Sequence, residues 1–520
     1  MRGCTGALPR SSLSDRSHRP PADSGATSVG GLPLRTHPGG GPPGRLLAIC
    51  LAVASGFWGL AALRHALLQS NSFDLGLFDQ WVWLISRGLA PVSSQSADLH
   101  LLTDHGAWLL YGLAPLYALL PTVQWLLALQ ALSLAFTAVP LWILARDAGL
   151  PQGLRWTVCG LWWLQPVVFN TNLFDFHPEV LAMPLLVALV IAGRRQWIGA
   201  WAGLILLILG CRDGLALVTL GLALEQAVRR RWRLAGLGLG LSLGWLALLN
   251  GWLYPLLTAR YPGVNAGASR YSYLGDSIGA IALGLIQHPQ RILGHVDWAG
   301  AAVYLLLLAL PLLPFWRRVS LPVLLAGIPL IAINILSESG AQRSLVHHYS
   351  LPLAVIGVVA ALDGLASEGM RRVPWRRIAW AAACWAALAK PWFFTGPYLG
   401  RLAMVPESRS ALELVRPGDA VATTSYLAPH LSGRRMVLFP AASDSDLEAL
   451  ERQRGINCCS FIHRYRAGPP RASCSAACWS RPAAGAGAAG SGRGVCSCAA
   501  ARPKGPRRDG TQKPRLPAPL

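Results

Sequence analysis

Charge is scarce in this sequence. Only 13% of the 520 residues are Asp, Glu, Lys or Arg, against 53% hydrophobic residues, and the mean hydropathy is +0.40. A soluble chain of this length would hold several domains with charged surfaces, so the shortage points to lipid as the main solvent. Strict polar/apolar alternation is also missing from the apolar runs, which argues against a closed β-barrel. A secretory leader is not evident: the residues after Met1 hold no early apolar core followed by small residues. Methionine is so sparse that the next one after Met1 is Met183. An over-extended start is therefore one reading of the first 44 residues, and any later start there would use another codon.

The formal charge of +22 does not imply nucleic acid. The basic residues fall mainly in short clusters between apolar runs and in the two tails, which is a topology signal. Residues 1–44 are rich in Pro, Gly, Ser and Arg and too poor in apolar residues to offset the entropy of ordering, so they read as a disordered cytoplasmic tail. About eleven spans follow, near 46–66, 123–145, 156–172, 180–193, 197–211, 214–228, 234–255, 299–316, 320–336, 350–366 and 378–395, each judged against the roughly 20 residues that cross a bilayer. With the N-terminus inside, every inside loop is basic: 146–155, 194–195, 229–233, 317–318 and 371–377. The outside loops carry the acids and histidines, while the other face is nearly pure Arg. This orientation expects a multi-pass inner-membrane protein with its C-terminal segment extracytoplasmic.

The domain reading is a tail at 1–44, a transmembrane domain at 45–395 with a first outer loop at 67–122, a small outer domain at 396–457, and a Cys/Arg/Pro/Ala-rich tail at 458–520. Strand-like stretches Ala420–Thr424 and Arg435–Phe439 make the small domain α/β. Cysteines in or beside the spans, such as Cys50 and Cys211, suit small buried hydrophobes. The junction near Asn457 reads as a change of reading frame in a GC-rich gene. A disulfide-bonded or metal-binding tail using Cys458, Cys459, Cys474, Cys478, Cys496 and Cys498 is the alternative, Cys474 and Cys478 having a ligand-like spacing.

Four clusters of ionisable residues share the outer side. The first loop holds Asp74 and Asp79 in FDLGLFDQ, followed by Trp81 and Trp83, whose rings would seat it at the headgroup level. A helix cap at Asp74 and a solvated Asp79 are the plainer alternative. Asp175, His177 and Glu179 stand within five residues in FDFHPE. Pro178 and Glu179 also suit ordinary helix initiation; otherwise the three groups converge with Asp74 or Asp79 on a divalent metal or on a sugar and its phosphate. Arg212 and Asp213 lie at the membrane edge, where charges are functional or paired with one another. Gln342 and Arg343, with His347, His348 and Tyr349, could hold a headgroup-level phosphate or simply anchor the interface.

The strings FDLGLFDQ, FDFHPE, CRDG and HHYSLP, with the stretch from His105 to Pro121, resemble a bacterial membrane family catalogued as domain of unknown function 2079, over roughly residues 46–455. That family is similar in layout to GT-C membrane glycosyltransferases, which implies an all-α polytopic fold with interfacial helices in the first outer loop and a small outer α/β piece. The resemblance implies a polyprenyl-phosphate sugar as donor and an extracytoplasmic acceptor. It further implies Asp74 or Asp79 as the catalytic carboxylate, Asp175, His177 and Glu179 as supporting or metal-binding groups for Mg2+ or Mn2+, and Arg212, Arg343 and His347 near the phosphate. Asp213, His348 and Tyr349 complete the expected substrate-binding set. A transporter or flippase for a lipid-linked or anionic solute is the rival, expecting mid-membrane ionisable groups and an inverted repeat; a non-catalytic membrane protein is the third reading.

Overall fold

The computed structural model describes residues 42–439, apart from 262 and 264–266, together with two later strands, Cys458–His463 and Gly494–Ser497. Helix dominates, and each of the eleven expected spans coincides with a helix or with a broken pair of helices. Among the described residues, four helices are long and apolar enough to cross a bilayer: Gly44–Ala66, Gln124–Asp147, Trp232–Arg260 and His348–Ser367. Two bent pairs raise the number to six: Pro289–His295 with Trp298–Ala309 at 78°, and Arg318–Leu325 with Ile328–Leu336 at 60°. Others are shorter. Helices Ala182–Arg194 and Ala216–Val228, of 13 residues each, extend about 20 Å at ~1.5 Å per residue. The 3-10 turns Pro178–Leu181 and Asp213–Leu215 lengthen both at one end, and that end carries the site. Between Gln152–Trp163 and Pro166–Phe174 the helix breaks because Pro166 cannot supply the next backbone donor.

Helix Leu351–Ser367 runs through the centre, buried from Leu351 to Leu365. Two glycines set how closely its neighbourhood packs. A Cβ on Gly364 would lie 2.0 Å from the Phe315 carbonyl oxygen, and one on Gly221 would lie 1.9 Å from that of Ala326. Such bare backbone contacts are how helices approach in lipid, where burial of apolar surface drives little association. Apolar side chains such as Leu51, Leu63 and Leu243 face outward, as a hydrocarbon solvent requires.

One expectation is corrected at the arginine-rich end. It is not nearly pure Arg, because four carboxylates sit among the guanidiniums. Arg194 reaches Asp363 at 2.7 Å, Arg229 reaches Glu225 at 2.8 Å and Arg377 reaches Glu368 at 2.8 Å, while Arg195 pairs with Asp147. A partly buried guanidinium without an anion would be costly, and the carboxylates that meet these four lie at or near the ends of helices. Cys50, Cys159, Cys211 and Cys384 are buried free thiols, in line with the reading of Cys50 and Cys211 as small hydrophobes.

At the other end the first loop folds into a π-turn, Ser72–Gly76, a helix, Leu77–Ser86, and a short hairpin pairing Val92 with His100. Trp81 departs from the headgroup expectation. It is fully buried and donates to the Leu99 carbonyl at 3.2 Å, because the small C-terminal piece and helix Ala114–Leu119 cover this loop. The exposed apolar residues of the loop include Phe73, Trp108, Leu119 and Leu120 instead.

The C-terminal piece supplies helix Val405–Glu413 and a four-stranded sheet in the order Val437–Leu438, Val421–Thr423, Cys458–His463, Gly494–Ser497, with only the last pair antiparallel. Both expected strands are present. Cys458–His463 and Gly494–Ser497 carry the sheet past residue 457, into the expected tail; Cys474, Cys478 and Cys498 lie outside the described residues, as does nearly all of 1–44. The sheet is stitched to the first loop: Ser94 Oγ donates to the Val437 carbonyl at 3.0 Å and accepts from Val437 N at 2.8 Å, and Gln80 Nε2 donates to the Arg434 carbonyl at 3.1 Å.

Candidate functional site

Asn71, not Asp74, caps the first-loop helix. Its side chain accepts from the Asp74 backbone N–H at 3.1 Å, which leaves the Asp74 carboxylate available. Asp74 Oδ2 accepts from Asn71 Nδ2 at 2.8 Å, and Asp74 Oδ1 lies 3.0 Å from His177 Nε2. His177 Nδ1 faces the Asp175 carbonyl at 3.4 Å. With acceptors at both nitrogens the ring suits the doubly protonated form. Burial opposes that charge, but Asp74 and then Glu179 outweigh it and hold the His177 pKa above its ordinary value. Burial likewise works to raise Asp74, and the charge and hydrogen bond of His177 overcome it, keeping Asp74 below the usual carboxylate range.

Behind this pair stands a positioning chain. The Asp175 carboxylate meets Arg64 Nη1 at 2.5 Å and accepts from Asn71 N at 3.1 Å and Asn71 Nδ2 at 3.3 Å. Asp175 itself has φ +118°, a conformation costing a non-glycine residue on the order of 1–3 kcal/mol. The fixed partners Arg64 and Asn71 sustain it. Gln130, buried in its helix, accepts from His177 N at 3.2 Å and donates to the carbonyls of Thr171 and Asn172, so the FDFHPE turn is held on both sides.

Glu179 pairs with Arg212, and His348 Nε2 lies between them, 2.8 Å from Arg212 Nη1 and 3.1 Å from Glu179 Oε1. Burial would raise Glu179, yet Arg212 and then His177 bring it below the ordinary range. The His348 ring stacks on His177 with centroids 3.7 Å apart. The guanidiniums of Arg212 and Arg270 lie 5.8 and 5.4 Å from the centre of the Tyr349 ring, and Arg270 Nη1 donates to Tyr349 Oη at 3.0 Å. Neutralisation of Arg212 by its neighbour Asp213 is not the main arrangement. Their closest approach is 4.0 Å, and Asp213 instead accepts from Tyr254 Oη at 2.9 Å and Gly214 N at 2.7 Å.

These groups line one cavity of about 460 Å³, within the roughly 300–1,000 Å³ usual for ligand sites. Asp74, His177, Glu179, Arg212, Arg270 and Tyr349 contribute its polar wall; Leu215, Leu217, Leu330, Ile333 and Pro352 contribute an apolar one. All four sequence clusters are thus represented, through Asp74, through His177 and Glu179, through Arg212 and Asp213, and through Gln342, His348 and Tyr349. Four singled-out residues are not on the wall. Asp79 is buried between Tyr117 Oη and Ser432 Oγ, both donating at 2.7 Å. Asp175 faces Arg64. Arg343 donates to the carbonyls of Ile335, at 3.3 Å, and Ser337. His347 packs edge-on against Phe174 at 4.4 Å.

The wall also holds Asp104, His105, Arg270 and Asn334, which sequence reading did not select as site residues. Asp104 pairs with His105 just before Gly106, and His105 opens the stretch that carried the family resemblance, so a signal existed for it. The expected metal triad does not assemble. Asp175 engages Arg64, His177 engages Asp74 and Glu179 engages Arg212, and among the described residues no group of three or more His, Cys, Asp or Glu side chains is set to hold a metal ion. These residues do not fit a divalent cation.

Apolar helices around a polar cavity at one end define a polytopic membrane protein with a candidate ligand site. The chain belongs to the family described as Predicted membrane protein (DUF2079), whose model matches residues 64–457 and therefore includes all four clusters. No curated protein matches the chain. Among solved structures it is similar to that of ArnT from Cupriavidus metallidurans in the apo state, at 13% identity and a TM-score of 0.45, over 80% of this chain and 92% of that one.

Proposed function

We propose that the protein is a membrane glycosyltransferase that moves a sugar from a polyprenyl-phosphate donor to an acceptor on the extracytoplasmic side. The observation that carries this reading is the make-up of the cavity: a carboxylate paired to histidine and two guanidiniums face the same space as an apolar wall built from the spans. An amphipathic donor matches that division, its isoprenoid along Leu330 and Ile333 and its phosphate toward Arg212 and Arg270. Asp74 is ionised at neutral pH and takes the proton of the acceptor hydroxyl as that oxygen bonds to the anomeric carbon. The bond from that carbon to the phosphate oxygen breaks, and the oxygen leaves with the electron pair, stabilised by the two guanidiniums across Tyr349. His177 and Asn71 fix the carboxylate's direction. The arginine-rich end then faces the cytoplasm.

The test is release of polyprenyl phosphate from a panel of lipid-linked sugars in proteoliposomes with membrane extract as acceptor. One donor is expected to turn over, and Asp74→Asn to lower the rate by about 10²-fold or more. Well-folded wild-type protein that turns over none of them refutes the transferase and moves a transporter ahead.

A further inference from the structure

Glu179 Oε2, Asn334 Oδ1 and His348 Nδ1 are buried at the cavity with no hydrogen-bond partner among the described residues. Their chemistry is readable. His348 Nε2 lies 2.8 Å from Arg212 Nη1 and 3.1 Å from Glu179 Oε1, which leaves ring Nδ1 as the unused nitrogen. Asn334 Nδ2 is engaged by Tyr304 Oη at 3.1 Å, leaving Oδ1 as an unused acceptor. Glu179 Oε1 is taken by Arg212 and Oε2 is a second unused acceptor.

Asn334 is the telling member. It lies in the apolar helix Ile328–Leu336, 1% exposed, near Leu330 and Ile333 of the cavity wall. Leucine would fill such a position without exposing an unpaired amide oxygen to an apolar setting, and polar groups inside spans mark functional positions. A phosphate presents only acceptors at neutral pH and an isoprenoid presents neither donor nor acceptor, so neither satisfies Glu179 or Asn334. Hydroxyls both donate and accept. Because the Glu179 charge is already matched by Arg212, a neutral O–H fits its free oxygen better than an ammonium does.

Building on the transferase reading, we infer that Glu179, Asn334 and His348 form a head-group subsite for an uncharged polyhydroxylated ring, with Asn334 as its specificity-determining residue. Two ring hydroxyls donate to Glu179 Oε2 and Asn334 Oδ1, and His348 Nδ1 hydrogen-bonds a third hydroxyl, which can donate or accept.

The experiment is equilibrium binding, without acceptor, of the full-length protein in nanodiscs to three lipids of equal chain length: polyprenyl phosphate, its neutral hexosyl ester and its aminohexosyl ester. Wild type should favour the hexosyl lipid over the bare phosphate by about tenfold and over the aminohexosyl lipid by a smaller factor. Asn334→Leu should reduce the first preference about fivefold while binding bare polyprenyl phosphate as before, which also reports an intact fold; Asn334→Ala, which removes the acceptor with less bulk, should do the same. Equal preference in wild type and both variants, a wild type indifferent to the sugar, or no binding of any sugar-bearing lipid overturns the subsite. Preference without turnover in proteoliposomes sinks the transferase reading alone.

Discussion

The two first-loop aspartates should respond in opposite ways to the same substitution, and Asp79 gives the sharper test. Its carboxylate is buried between two hydroxyls with no cation beside it, and burial, outweighing the Ser432 and Tyr117 hydrogen bonds, pushes its pKa from 3.8 up to about 6. Because the folded value lies above the unfolded one, folding favours the protonated form. That contribution is complete below about pH 4 and is lost as pH rises through about 6, a swing of about 3 kcal/mol at ~1.4 kcal/mol per pKa unit. Asp79→Asn keeps one acceptor, offers a donor to the other hydroxyl and cannot ionise. The variant should therefore gain stability over wild type as pH rises from 4 to 7, reaching about 2–3 kcal/mol, or a few degrees in Tm, at neutral pH. Asp175, whose pKa is also about 6 because burial outweighs Arg64, adds a similar slope, but it is common to both proteins and cancels in the difference. The assay is tryptophan-monitored melting in detergent at pH 4, 5, 6 and 7, alongside turnover. Parallel melting curves at every pH would refute the buried-acid assignment. Loss of turnover in a stably folded Asp79→Asn would return this residue to the catalytic role that the family resemblance implies.

Asn71→Ala removes the link between Asp175 and Asp74 without touching the cavity wall, so kcat should fall about tenfold with KM for the donor little changed; a rise in KM alone would contradict a positioning role. Gly221→Ala drives a methyl into the Ala326 carbonyl, 1.9 Å from the built Cβ, and should cost about 1–3 kcal/mol, read as a lower Tm; an unchanged Tm would mean that the two helices are not held at that distance.

The spans and the cluster-bearing loops were legible because apolar run length and the placement of arginine are local properties. Partners were not. Arg64 ends the first span and looks like a flanking charge, yet its anion, Asp175, is 111 positions away. Arg212 sits beside Asp213 in the chain but turns to Glu179, 33 positions back, because burial rewards the geometry of the packed state over sequence adjacency. The close spacing of Asp175, His177 and Glu179 suggested a shared ligand, whereas the extended backbone between them and the left-handed φ of Asp175 send the three side chains to different partners. Asn334 is a single amide in an apolar run, and only packing distinguishes a site residue there from a helix–helix hydrogen bond. The carboxylates at the arginine-rich end follow the same pattern: Asp147 and Asp363 meet Arg195 and Arg194 only across the packed helices.

The stitching of the first loop to the late sheet sets a schedule for biosynthesis. Ser94 meets Val437 across 343 positions, and at ribosomal speeds of ~5–20 residues per second the interval between their appearance is on the order of 20–70 s. During that time the strand partner of the Asp74 loop has not yet been synthesised, and most of the helices must be threaded before it is. The Asp74 loop is made early and braced late, so a chain arrested in the middle of translation presents the cavity's first wall without the sheet that holds it.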